Sequence, residues 1–457
     1  IHYIKSEREE NTKTIETLKE NTDIKEKIES VLSSMFGKTI KFIEDIDQTL
    51  IPIVENKAWN VEYMLEDVEC HGLKEIISLL VNLYSNKNDV LIFDEPELHL
   101  HPQLQIFFMN QIRKEAQSNP KRIFFIISHS PFFIDLRFPE DLIGVIVCHT
   151  NKIPTHIEEL SPEDDILFRR FLPRFNTYHK QFFFSDNQVF VEGYTDQQMF
   201  TYLLPFISDE YTSAGTGIID VGGKDELGVF CKVCSLLGTN GRIITDLDSL
   251  FSGKLRDVFC KDERVTQWLE KMEEKQAFFY SQIFTPKELV HSVTLEKLIF
   301  RLERYLVQIG KELISPAKEK SFPQKLDLLK EKIDGLVEKH GNVENIDTYK
   351  TVLLQAILNY PEEMENYLSE SLAKNIPTIK NLYSFILAAA EASRVYILPK
   401  GCIEHYYTRT KIEFMPVSAK DRLFHNEIEF LIDASSKSVK KEYNELLTIL
   451  EKACSLD

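Results

Sequence analysis

The chain has 457 residues, 43% hydrophobic and 28% charged, an ordinary soluble composition with room for two to four domains of roughly 100–200 residues each. No run of about 18 apolar residues and no charged-then-apolar leader appears, and the seven scattered cysteines form no disulfide framework, so a cytoplasmic, membrane-free protein is expected. The net charge of −18 argues against a general nucleic-acid coat protein, so a nuclease of this balance needs bound cations and local basic clusters. Lys121-Arg122, Arg169-Arg170 and the group Lys437, Lys440 and Lys441 are the candidates, although such runs are more often solvated faces.

In chain order, apolar residues at helical spacing (Ile15, Leu18, Ile24, Ile28, Val31, Leu32) predict a helix over 14–36. Extended stretches follow at Thr39 to Phe42 and Thr49 to Val54, then an amphipathic helix over Leu73 to Tyr84. The apolar run Asp89 to Phe93 fits a buried parallel strand. Pro102 stands where a helix would start, Gln103 to Ala116 continues it, and Arg122 to Ile127 is a second buried strand. Beyond Asp186 the alternation resumes: strand Gln188–Val191, helix Thr195–Leu204, strand Gly217–Val221, helix Lys224–Leu237, strand Arg242–Thr245. Such alternation means α/β. From about Phe251 to Ser393 the text is long, charged and helical, with Pro286, Pro316, Pro323, Pro361 and Pro377 as punctuation. Arg394 to Leu398 returns to strand, and a helical tail runs from about Asp421 to Ala453. Cys231 and Cys234 form a C-x-x-C without a partner pair, better read as two small residues on one helix face than as a zinc or redox site.

The segment Val90 to Pro102 reads VLIFDEPELHLHP, a buried strand ending in adjacent carboxylates, Asp94 and Glu95. Alternation sends them to different sides, so one can bind Mg²⁺ while the other polarises water, a division that phosphoryl transfer requires. The second strand ends in Ser128-His129-Ser130-Pro131, where a His can contact a γ-phosphate at the carboxyl edge of the sheet. These motifs resemble the Walker B segment and switch His of ABC-type ATPases. The resemblance implies Asp94 as the Mg²⁺ partner, Glu95 as the base and His129 as the γ-phosphate sensor, with ATP sandwiched between two heads. Where the family's signature loop would fall, Glu69-Cys70-His71-Gly72 keeps only the glycine. The one Gly-Lys-Thr, Gly37-Lys38-Thr39, has Leu32 at the first glycine's position and precedes a strand, so it is not a phosphate loop. That loop is expected upstream of Ile1, as the non-methionine start favours; otherwise the head does not hydrolyse ATP.

Gln188 to Asp196 reads QVFVEGYTD: a strand ends at Glu192, Gly193 permits a turn, Thr195 can cap the next helix, and Asp196 lies in its first turn. Ile218 to Lys224 reads IIDVGGK, whose glycines admit a close phosphate or strand. Arg242 to Leu250 reads RIITDLDSL, with Asp246 and Asp248 two apart on extended chain and so facing one way. Acids gathered from two strand ends repel and raise one another's pKa unless a hard cation such as Mg²⁺ relieves them.

These motifs resemble the TOPRIM domain, and an ATPase head followed by TOPRIM resembles the OLD (overcoming lysogenization defect) nucleases and the nuclease subunit of Gabija-type anti-phage systems. The resemblance implies Glu192, Asp196, Asp246 and Asp248 as metal ligands. In Tyr396 to Tyr406, YILPKGCIEHY, it implies Lys400 as a transition-state stabiliser and Glu404 as the ligand completing a second metal site.

The expected architecture is therefore α/β, an ABC-type ATPase half followed by a TOPRIM (Rossmann-like parallel sheet) domain carrying a helical insertion. Its expected parts are the ATPase over 1–180, TOPRIM over 186–250 and 391–412, the insertion over 251–390 and a helical tail over 413–457. The expected activity is ATP-regulated hydrolysis of DNA with Mg²⁺ or Mn²⁺ at the TOPRIM site and ATP with Mg²⁺ at the head. The expected assembly is a homodimer or higher oligomer through the heads, with a defence-system partner protein. The alternatives are an ATP-gated structural sensor with a vestigial acid cluster, and an RNA or tRNA nuclease.

Overall fold

The computed structural model describes residues 1–5, 17–36, 39–44, 50–56, 59–64, 71–85, 87–149, 153–185, 187–207, 215–239, 241–290, 292–314, 323–341 and 346–455. The chain divides into two compact units, Ile1–Asp141 with Leu172–Lys180, and Leu142–Phe171 with Gln181–Asp457. No helix among the described residues is long and apolar enough to cross a membrane.

In the first unit the strands are β1 (His2–Ile4), β2 (Thr39–Glu44), β3 (Leu50–Asn56), β4 (Val61–Met64), β5 (Val90–Asp94) and β6 (Ile123–Ile127). The apolar runs expected at 89–93 and 122–127 form β5 and β6, paired in parallel, with β1 parallel on the other side of β5. The sequence reading did not find β1 or β4, because three or four residues are too short to display a period. Strands β2, β3 and β4 form an antiparallel meander. The core gathers Ile28 and Leu32 of helix Thr22–Phe36, Ile76, Leu80 and Leu83 of helix His71–Tyr84, and Phe93 of β5. Phe93 meets the edge of Phe108 from helix Pro102–Ser118 at 5.2 Å. That helix starts as expected: His101 caps it and Pro102 occupies its first turn, where the missing N–H costs nothing. Gly37, Lys38, Glu69 and Cys70, on which the phosphate-loop and signature-loop readings fell, lie outside the described residues. Arg122 is not available to a nucleic acid. It is buried, donating to Glu115 Oε1 at 2.9 Å and to the carbonyls of Leu83 and Ser85 at 2.8 and 3.0 Å.

The second unit contains a short hairpin, β7 (Ile146–Val147) with β8 (Thr155–His156), and a parallel sheet of β9 (Asn187–Val191), β10 (Thr216–Asp220), β11 (Gly241–Thr245) and β12 (Val395–Ile397) in the order β10-β9-β11-β12. The chain leaves β9 toward β10 on one side, then crosses to β11 on the other, so the crevice between the carboxyl ends of β9 and β11 is the topological switch point. Both faces of the sheet are covered. Phe190 packs on Phe230 of helix Lys224–Leu237 at 5.0 Å, while Val189 and Val191 join the cluster of helix Tyr194–Leu203 on the opposite face.

Two expected domain limits differ from the structure. Residues 142–171, read as ATPase, belong to the second unit: Phe171 packs edge-on to Phe230 at 5.1 Å, and Thr155 Oγ1 donates to the Leu237 carbonyl at 2.5 Å. The tail over 413–457 is no appendage, because Leu431, Tyr443, Leu446 and Leu450 share one core with Val189 and Val191. An amphipathic helix declares an apolar face but not the surface that face will cover. The stretch over 251–390 is helical as expected, and its last helix, Ile376–Ala392, leads directly into β12. Burial pushes the thiols of Cys231 and Cys234 up, Cys234 to about 12, which is opposite to what a metal or redox thiolate needs.

Candidate functional site

Both units place their acids at the carboxyl ends of parallel strands, where helix starts and free strand ends leave room for a ligand. In the first unit, Asp94 ends β5 and accepts from the Tyr3 hydroxyl at 2.5 Å. Glu95 turns the chain with a left-handed backbone (φ 45°), a costly conformation for a residue with a Cβ. Its N–H donates to the Ile127 carbonyl at 2.8 Å, which ties the ends of β5 and β6 together. Glu97 completes the tie, accepting from the His129 N–H at 2.8 Å and from the Ser128 hydroxyl at 2.9 Å. His129 Nε2 thereby comes to 3.8 Å from Glu95 Oε1, with its side chain 80% exposed. Asp94, Glu95 and His129 thus form one group at one sheet edge. The part played by Glu97 was not anticipated, although its place in the Glu-Leu-His-Leu-His-Pro tail was visible.

In the second unit, Glu192 follows β9 and Asp246 follows β11, so the switch-point crevice lies between them. Glu192, Asp246 and Asp248 each offer a carboxylate oxygen, and these oxygens lie within 4.8 Å of one another. Glu192 Oε1 is fixed by the Thr245 hydroxyl at 2.6 Å and the Asp246 N–H at 2.9 Å. Asp196 is buried in the first turn of the next helix. Glu404, from a short 3₁₀ turn after β12, is fully buried, and neither of its oxygens has a hydrogen-bond partner among the described residues. One oxygen of Asp248 is likewise unsatisfied.

This crowding is costly without a cation. Burial drives the Asp246 carboxyl well above its ordinary range, and the charges of Glu192 and Asp196 add to that. Burial pushes Asp196 up to about 7, reinforced by Glu192 and Glu404, and raises Glu192 as well. Converging carboxylates with orphaned buried oxygens are what a hard divalent cation satisfies, so the residues fit such an ion.

Among the described residues, two lysines bring positive charge to the acids. Lys420 Nζ lies 3.3 Å from Glu404 Oε1 and 3.8 Å from Asp246 Oδ2, and Lys224 Nζ lies 2.7 Å from Asp248 Oδ2. Lys400, expected as a transition-state stabiliser, pairs its ammonium with Glu445 at 2.5 Å and lies over the Tyr406 ring, half exposed. Lys420 came from outside the expected motif. It begins a tail helix just after Ala419, which has a left-handed backbone (φ 54°), and nothing in the local text separates it from the other lysines.

The shifted carboxyls set a pH dependence. With its pKa raised from 3.8 to about 7, Asp196 stabilises the fold fully below about pH 4, and that contribution is lost as pH rises through about 7. Cation binding needs the ionised form, so it strengthens over the same interval and releases protons. Calorimetric Mn²⁺ titration of the full chain should show tighter binding and less proton release near pH 8 than near pH 6. An affinity unchanged between them would contradict this account of the acids.

Fold and site define the class: an ATPase domain followed by a TOPRIM domain. Residues 1–134 match the family described as AAA ATPase domain, and residues 183–248 match the overcoming lysogenization defect protein-like TOPRIM domain. The relatives found include the OLD nuclease of Thermus scotoductus, 26% identical over 194 residues (42% of this chain, 35% of that protein). They also include endonuclease GajA of two Bacillus cereus strains. The HuB5-5 protein is 24% identical over 192 residues (36% of this chain, 27% of that protein), and the VD045 protein 23% over 224 residues (48% and 36%). The chain spans about a third of the length of these relatives.

Proposed function

We propose that this chain works in an ATP-regulated, divalent-metal-dependent endonuclease that hydrolyses DNA phosphodiester bonds in anti-phage defence. The observation that carries the reading is the meeting of Glu192, Asp246 and Asp248 at the switch point, beside the buried Glu404, whose Oε2 has no hydrogen-bond partner among the described residues. The named activities of the OLD and GajA relatives support it.

Mg²⁺ or Mn²⁺ held by Glu192, Asp196, Asp246, Asp248 and Glu404 would neutralise phosphate charge and lower the pKa of a bound water. The protein's own share is positioning. Thr245 and the Asp246 N–H hold the Glu192 carboxylate in one orientation, and Lys420, beside Asp246 and Glu404, is the cation best placed to meet a phosphate brought to those acids. At the head, Asp94 would hold the Mg²⁺ of ATP, Glu95 would orient water and His129 would meet the γ-phosphate, with two heads pairing around the nucleotide.

The test is plasmid nicking by the full chain with Mg²⁺ or Mn²⁺, comparing wild type with Glu192→Ala and Asp246→Ala, with and without ATP. Cleavage by wild type alone supports the reading. Equal cleavage by all three proteins removes the TOPRIM site from the chemistry, and cleavage of labelled RNA but not DNA moves the substrate class. Glu95→Gln should abolish ATP hydrolysis while leaving ATP-independent nicking in place; hydrolysis at the wild-type rate would remove Glu95 from that chemistry.

A further inference from the structure

We propose that Gln355, from the helical insertion, is a positioning residue for Glu404, so that the insertion is a working part of the cation site. The inference rests on the metal-site reading above and assigns a role to a segment whose own residues carry no chemical motif.

Gln355 lies on helix Asp347–Asn359 and is 1% exposed. A buried primary amide is costly unless each polar atom is used, and here each is. Nε2 donates to the Lys400 carbonyl at 2.8 Å and meets His405 Nε2 at 3.0 Å, while Oε1 accepts from the Met415 N–H at 2.8 Å. Glu404 stands between these two anchors, next to His405 and four residues beyond Lys400.

The same loop is tied to the other acids. The Leu247 N–H, between Asp246 and Asp248, donates to the Gly401 carbonyl at 2.7 Å. Gly401 has φ 144°, and a Cβ there would come within 2.5 Å of Gln355 Nε2 and 2.7 Å of the His405 ring. The glycine is what lets the amide approach. One side chain of the insertion therefore holds the loop that carries Glu404, and through Gly401 that loop is keyed to the one that carries Asp246 and Asp248. Carboxylate ligands depend on such outer supports as much as on their own oxygens.

The experiment is Mn²⁺ titration calorimetry of the full chain, with melting temperatures in chelator, for wild type, Gln355→Met, Glu404→Gln and the double variant. Gln355→Met keeps the bulk and removes the hydrogen bonds. It should weaken the Glu404-dependent Mn²⁺ site by roughly 10–100-fold. The double variant should be no weaker than Glu404→Gln alone, since both act through one ligand. Gly401→Ala, which displaces the amide by a different route, should repeat the loss. Wild-type Mn²⁺ binding by Gln355→Met, or losses that add in full in the double variant, would overturn the proposal. So would failure of both Gln355→Met and Gly401→Ala to fold, because that would make the contact a stability element only. If Glu192→Gln and Asp246→Asn also bind Mn²⁺ normally, the metal-site reading itself fails; if they lose it while Gln355→Met does not, only the role of Gln355 falls.

Discussion

Asp246→Asn should abolish Mn²⁺-dependent nicking by at least about 10³-fold and, in the same protein, raise the melting temperature measured in chelator. The two effects have one cause. Asp246 is buried against Glu192, Asp196 and Asp248, and without a cation its charge is opposed by burial and by those neighbours. An amide of the same shape removes the repulsion, so the metal-free fold gains stability. The amide is a poor ligand for a hard cation, and losing the several kcal/mol that metal ions contribute to a phosphoryl transition state corresponds to about a thousandfold or more in rate. Added Mn²⁺ should stabilise the wild type by mass action and leave the variant almost unmoved. A nicking assay and a thermal melt with and without Mn²⁺ test both halves. A variant that melts lower in chelator, or one that still cuts, would show that the acids are not held in mutual strain for a cation.

Lys420→Met should lower nicking by about 10²–10³-fold, the usual loss on removing one charged stabiliser of an anionic transition state, with the opposite sign on stability. Its ammonium faces both Asp246 and Glu404, and those acids together with Asp196 hold its pKa above the ordinary range against the effect of burial. Breaking a buried pair from one side costs about 3–5 kcal/mol. The loss here should fall below that, because the Lys420 side chain is 40% exposed and water screens it. The melting temperature in chelator should therefore fall, and Mn²⁺ should restore most of it by replacing one cation with another. Lys400→Ala is the control. Its pair with Glu445 is 49% and 44% exposed, worth at most about 1 kcal/mol, so nicking should change by less than about threefold. If Lys400→Ala instead matches the loss of Lys420→Met, the phosphate role belongs to Lys400 after all.

The chemistry-bearing residues that could be read directly are those at the ends of apolar strands. Glu192 and Asp246 were legible because a parallel α/β sheet presents ligands at its carboxyl edge, and an acid directly after an apolar run marks that edge. Asp94, Glu95 and His129 were legible for the same reason. Glu404 was found only through likeness to a motif, and the same likeness pointed to Lys400, four residues earlier. The chain turns at Gly401, so the two side chains part: Glu404 is buried near Asp196 and Lys420, while Lys400 turns to Glu445.

By itself, then, the sequence determined the α/β class, the order of the longer helices and of β5, β6 and β9 to β12, and the acids that end β5, β9 and β11, because these depend on period and on neighbours along the chain. Tertiary structure alone decided that β1 lies beside β5, that residues 142–171 join the second unit, that the tail closes the parallel sheet, and that Lys420 and Gln355 serve the acid site. Those outcomes depend on which apolar face meets which, and on charges brought together from Glu192 to Lys420 across more than two hundred residues of chain. A helix period looks the same whatever it packs against, and a lysine's partner is a property of space rather than of spacing.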